Sequence, residues 1–226
     1  MKNPRWSAVI NHANWLALGA DIHTLAEAGC DELEIEVSDG VYAPHLASGM
    51  DALQAVRSAT DLPVYVQLLA TRPERHIAAI AEGGATGVSV PLEAPTHLHR
   101  TVQEIKNAGM EAGLSVNPAT SLTGLQYVLA SLDRVALWMT EPGTANAAPA
   151  ASVFERIGTL RKNADFHNLN VQIHAKGGLD VAGGALALQQ GADVITLDKN
   201  NVFGRGDLLP VLMQYREEVE QHRHLV

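Results

Sequence analysis

A chain of 226 residues that is 46% hydrophobic and 18% charged has apolar material for a substantial core, and too much of it for intrinsic disorder. Sixteen Lys and Arg against 25 Asp and Glu leave a net charge of −9, which excludes the basic face that nucleic-acid binding requires. The single cysteine, Cys30, excludes an internal disulfide and fits a reducing compartment. The opening MKNPRWSAVINHANW carries no apolar signal core. The longest uncharged stretch, 112–132, is interrupted by Ser115, Asn117, Pro118 and Thr120, so no membrane span is expected. The expectation is a cytoplasmic protein with neither nucleic acid nor membrane as partner.

In chain order, short apolar runs rich in β-branched residues predict strands over 8–11, 33–37, 64–69, 87–91, 112–116, 134–140, 171–176 and 194–198. Between them the apolar period becomes helical. Pro73 opens a helix bearing Ile77 and Ile80 that ends at Gly83 and Gly84. Over 97–108, Leu98, Val102 and Ile105 recur at helical spacing and Gly109 ends the run; Val153, Ile157 and Leu160 repeat the pattern over 152–163. Most strands start about 23 to 31 positions after the one before, the length that a strand, a helix and short loops need. The step from 134 to 171 leaves room for a longer loop after the sixth strand. Strict alternation implies parallel pairing, and eight units imply closure. The predicted fold is therefore α/β, a single (β/α)8 TIM barrel over 1–226, with an open doubly wound sheet as the alternative.

In such a barrel, inward positions are mostly bulky and apolar, and chemistry sits at the C-terminal mouth, so polar residues at strand ends carry the information. Glu34 and Glu36 are two apart on the second strand and share a face; His174 and Lys176 do so on the seventh. The first strand adds Asn11, the third Gln67, the fifth Asn117, and the eighth ends in Asp198 before Lys199. A buried carboxylate or ammonium is costly unless paired, so the glutamates and the lysine are expected to satisfy one another, either as an ion cluster or as catalytic groups. His174 reads as a core histidine. The other histidines, His12 and His45 among them, lack metal spacing such as HExxH, and most read as solvated surface. Gly177 and Gly178 after the seventh strand, and Lys199 and Asn200 after the eighth, lie where barrels often bind phosphate.

Several stretches resemble the ribulose-phosphate 3-epimerase family over nearly the whole chain. LEIEVSDGVYAPHL is similar to the family's HVDVMDGxFVPN segment, LPVYVQLLATRPERHI to LPLDVHLMxxxPExxI, and AGLSVNPATSLTGLQYVL to AGVxLNPxTPLExLxxxL. MTEPGTANA stands in the place of MSVNPGFGGQ, HAKGGLD in that of VDGGV, and NNVFG in that of SAIFG. The resemblance implies a divalent metal held by two histidines and two aspartates, the aspartates acting as acid–base pair. At those positions this chain has Glu34, Glu36, Gln67 and Lys176, so the metal's ligands are not retained. The glycines after the sixth strand give way to Thr144, Ala145 and Asn146, and a Gly-Ser pair after the eighth to Lys199 and Asn200.

The resemblance implies an isomerase: an epimerase of ketose phosphates or sugar acids that abstracts a proton next to a carbonyl and stabilises an enediolate. Glu36 is the candidate base, and Lys176 the candidate cation and acid in place of the metal. Asn11, Glu34, Asp39, Gln67, Asn117, Gly177, Gly178, Lys199 and Asn200 are candidate substrate contacts. The expected ligand is a small sugar phosphate or related anion, and the family implies a homo-oligomer. Two alternatives stay open: a Schiff-base aldolase or decarboxylase using Lys176 or Lys199, and a barrel that binds a sugar without turnover.

Overall fold

The structure, a computed structural model, describes residues 3–144 and 148–224. Its strands are β1 (Arg5–Val9), β2 (Glu32–Asp39), the two-residue β3 (Leu46–Ala47), β4 (Val64–Leu69), β5 (Gly87–Pro91), β6 (Glu111–Val116), β7 (Arg134–Trp138), β8 (Gln172–Lys176) and β9 (Val194–Leu197). All but β3 are parallel, and β1 pairs with both β2 and β9, so the eight close into a barrel without an edge. β3 is a short antiparallel addition to the end of β2 that the sequence pattern did not suggest.

Seven α-helices among the described residues cover the barrel: α1 (Leu18–Glu27), α2 (Met50–Ser58), α3 (Ile77–Glu82), α4 (Leu98–Asn107), α5 (Ala151–Phe166), α6 (Val181–Gln189) and α7 (Leu208–Arg223). The expected strict alternation breaks between β6 and β7, where two 3-10 turns (Leu122–Leu125 and Leu129–Ser131) replace a helix. Leu122, Leu125 and Val128 recur every three residues, the 3-10 period, and the Ser121 side chain caps the first turn by accepting from Thr123 N. No helix among the described residues is long and apolar enough to cross a membrane.

The apolar core lies between sheet and helices. Ile35, Val66, Val88, Leu114, Leu137 and Ile173 on the strands are buried in one cluster with Ile22, Leu53, Ile80, Ile105, Ile157 and Leu212 on the helices. The opposite face of the strands is polar, contrary to the bulky apolar lumen expected. Glu32 on β2 receives two hydrogen bonds of 3.2 Å from Arg134 on β7. These strands are not neighbours in the sheet, so the pair spans the lumen. The Arg134 guanidinium lies 3.2 Å from the Tyr65 ring centroid, and Arg5 reaches Glu32 at 3.4 Å. A Cβ on Gly113 would stand 2.7 Å from Arg134 Cγ, so only glycine leaves room for this side chain. His174 lies above the pair, its Nδ1 3.9 Å from Glu32. Burial, and then the charges of Arg134 and Arg5, push its pKa well below the usual 6.5, so it is a neutral core histidine.

Candidate active site

The C-terminal mouth holds a cavity of about 300 Å³ whose walls include His12, Glu36, His45, Trp138, Lys176 and Asp198. Period-two geometry along β2 puts Glu32, Glu34 and Glu36 on the lumenal face at successive depths. Lys176, the last residue of β8, reaches across the barrel to the upper two. Its Nζ donates to Glu34 Oε1 and lies 3.1 Å from Glu36 Oε1, and it stands 4.6 Å from the Trp138 ring centroid. The lysine side chain is 2% exposed, Glu34 5% and Glu36 12%, so of the two glutamates Glu36 is the nearer to the opening.

Burial raises the pKa of Glu36 to about 7, with the Asp198 charge adding to the rise and Lys199 opposing it. Burial also lowers Lys176 to about 7, and Asp198 opposes that. Desolvation thus poises both groups near neutrality, while their contact favours the charged pair. Asn11 fixes Glu36 from behind: its Nδ2 donates to Glu36 O at 2.9 Å and its Oδ1 accepts from Glu36 N at 2.7 Å. Asn11 itself lies in a 3-10 turn (Ile10–His12), not in the strand expected over 8–11, because β1 ends at Val9.

The other expected site residues fall into two groups. Gly177, Lys199 and Asn200 line the cavity with Glu36 and Lys176, and Gly178 completes the turn, both glycines having positive φ (+87° and +69°). Gln67, Asn117 and Asp39 are not among the cavity's walls and hydrogen-bond elsewhere, although Gln67 Oε1 and Asn117 Oδ1 are buried without a partner among the described residues. Gln67 is fully buried in the lumen and its Nε2 donates to Ser115 Oγ at 2.9 Å. Asn117 Nδ2 donates to Tyr42 Oη at 2.8 Å. Asp39 accepts the N–H groups of Val41, Tyr42 and Thr71 and the Thr71 hydroxyl. Desolvation works to raise its pKa, but these hydrogen bonds together outweigh it and hold the carboxyl at about 2. Of the loop after β7, Thr144 lines the cavity; Ala145 and Asn146 lie outside the described residues.

His12 and His45, two of the histidines of which most were expected at the surface, are half-buried walls of the cavity. Burial lowers the pKa of His12, against the pull of Asp198. Both come from loops at the barrel's C-terminal end, so position after a strand was the signal available, and strand periodicity says nothing about such residues. Trp138 and Thr196 were also missed: each reads as an ordinary strand residue, yet both line the cavity.

The donor set does not suit a divalent metal. An ammonium stands where the Glu34 and Glu36 carboxylates converge, and the Gln67 amide nitrogen is turned toward Ser115. No cluster of three or more metal-ligating side chains occurs among the described residues. A protonated amine cannot ligate, and glutamine is a weak donor.

Residues 6–202 match the ribulose-phosphate 3 epimerase family. The ribulose-phosphate 3-epimerase of Bacillus subtilis is 34% identical over 205 residues, covering 90% of this chain and 94% of that protein. The chloroplastic ribulose-5-phosphate-3-epimerase of Arabidopsis thaliana is 34% identical, with 89% and 72% covered, and the Escherichia coli K12 epimerase 29%, with 94% of each covered. Among solved structures, KGPDC from Streptococcus mutans in complex with D-R5P superposes with a TM-score of 0.73 at 12% identity, over 96% of this chain and 98% of that one. The 3-hexulose-6-phosphate synthase of Salmonella typhimurium gives 0.71 at 15%, with 96% and 99% covered. These two likenesses speak to the barrel alone. The sequence matches go further: this chain belongs to the ribulose-phosphate 3-epimerase family.

Proposed function

We propose that this protein is a carbohydrate epimerase that inverts a carbon next to a carbonyl, with Glu36 as base and Lys176 as cation and acid. The observation that carries the reading is the 3.1 Å contact between these side chains at the wall of one cavity. The Glu36 carboxylate removes the proton from the carbon, and the freed electron pair moves through the new C=C bond onto the carbonyl oxygen. The Lys176 ammonium holds that oxygen's negative charge, the role an electrophile must fill in an enediolate mechanism. For inversion the substrate must enter between the two side chains and part them; a proton returned by Lys176 to the face opposite Glu36 then regenerates the carbonyl with the centre inverted. A base and an acid with pKa values near the working pH are the effective ones, and burial moves both groups there.

Asn11 and Glu34 are positioning residues, the first holding the backbone of Glu36 and the second the ammonium. Schiff-base chemistry and binding without turnover are not favoured. The curated relatives are epimerases, and Lys176 is held by two carboxylates rather than presented alone. Incorporation of solvent deuterium next to the carbonyl of a ketose tests the reading. Glu36→Gln should abolish the exchange, and Lys176→Met should slow it by about 10²-fold or more. Unimpaired exchange in either variant refutes the assignment.

A further inference from the structure

Loops after the seventh and eighth strands are where barrels commonly bind a phosphate through backbone N–H groups. Here the eighth-strand loop has turned those groups inward. Asp198 Oδ1 accepts from Asn200 N at 2.6 Å, and Asp198 N donates to Asn201 Oδ1 at 2.7 Å. The N–H groups of Val202 and Phe203 go to Asp198 O at 3.0 and 3.1 Å, and Asn200 Nδ2 donates to Asp198 Oδ2 at 3.3 Å. Asp198 is 7% exposed and lines the cavity; its carboxylate occupies the Asn200 donors, and its main-chain carbonyl those of Val202 and Phe203.

The surrounding charge points the same way. Glu36, Glu141 and Asp198 line the cavity against Lys176 and Lys199, and Lys176 is already committed to Glu34 and Glu36. The Arg205 guanidinium is turned to the Asn200 carbonyl. A phosphate dianion would meet more negative charge than positive. Three cavity-lining side chains meanwhile carry buried polar atoms without a partner: His45 Nδ1, Trp138 Nε1 and Thr196 Oγ1. Carboxylates and unpaired donors and acceptors together suit hydroxyl groups, which both donate and accept.

We infer that the cavity takes an unphosphorylated ketose, and that Asp198 excludes a phosphate group from it. The inference rests on the epimerase reading for its chemistry and departs from the sugar phosphate expected from the family resemblance. Removing the Asp198 charge while keeping its shape should relax the exclusion.

The test has two arms. In the first, deuterium wash-in is measured for neutral pentuloses and hexuloses and for their terminal phosphates, with wild type and Asp198→Asn. The expected kcat/KM favours the neutral sugars at least tenfold in wild type, and Asp198→Asn reduces that preference at least tenfold. A wild-type preference for the phosphates overturns the inference and leaves the epimerase reading standing. In the second, inorganic phosphate is titrated against the melting temperature, with chloride at matched ionic strength as control. Phosphate should stabilise Asp198→Asn, which also shows that the variant folds, and leave wild type unmoved. Stabilisation of wild type overturns the inference. If no sugar exchanges, the epimerase reading fails, and the phosphate titration still decides whether Asp198 excludes the anion.

Discussion

Replacing Lys176 by methionine removes the ammonium and keeps the length of its stem. At 3.1 Å from Glu36 and an effective dielectric constant of about 20, the charge pair is worth about 5 kcal/mol. An enediolate oxygen bound at similar range would draw on the same charge, and one well-placed electrophile typically supplies about 3–4 kcal/mol, or 10²–10³ in rate. The variant also leaves Glu34 and Glu36 without their shared cation, so the pKa of Glu36 should climb beyond about 7 and the acidic limb of the pH–rate profile should move to higher pH. Loss of one partner of a buried pair costs about 3–5 kcal/mol of stability, so circular dichroism must first establish that the protein is folded at the assay temperature. Lys176→Arg separates the two roles. It keeps a positive charge that does not deprotonate, so exchange at the carbon should survive better than formation of the inverted sugar. Near-wild-type rates in Lys176→Met, with an unmoved acidic limb, would refute the reasoning.

Other predictions follow from the same geometry. The kcat/KM profile should be bell-shaped around pH 7: activity falls below it as Glu36 gains a proton and above it as Lys176 loses one, and a plateau reaching pH 9 would contradict this. His174 is held neutral in the fold but takes up a proton when unfolded. His174 therefore contributes a loss of stability as pH drops below about 6.5, of up to about 1.4 kcal/mol per pH unit, and denaturant titrations of wild type and His174→Gln over that range should differ in slope by that amount. Gly113→Ala forces a methyl group against Arg134 and should lower stability by about 1–3 kcal/mol, read from the denaturation midpoint.

Much of the barrel was legible in the sequence because it rests on local periodicity. Val64–Leu69 and Gly87–Pro91 form strands over the predicted residues, and the two-residue spacing of Glu34 with Glu36 and of His174 with Lys176 places each pair on one face. Less legible were features that only closure creates. Glu32 meets Arg134 across 102 positions of chain and Lys176 meets Glu34 across 142, on strands that are not neighbours in the sheet. The expected apolar lumen fails for that reason: charges that look isolated along the chain find partners across the barrel. β1 was read too late because the apolar run continues through Ile10 after the backbone has turned into a 3-10 segment. His12 and His45 were not singled out as site residues because a loop residue's direction depends on neighbours that periodicity does not reveal.

The central claim is that a carboxylate from β2 and an amine from β8 together move a proton without a metal ion. It is tested most directly by following solvent deuterium into a ketose after exhaustive chelation, with wild type and Glu36→Gln side by side. The account predicts full wild-type exchange in chelator and none in Glu36→Gln. Exchange that appears only when a divalent metal is restored, or that persists in Glu36→Gln, would contradict it.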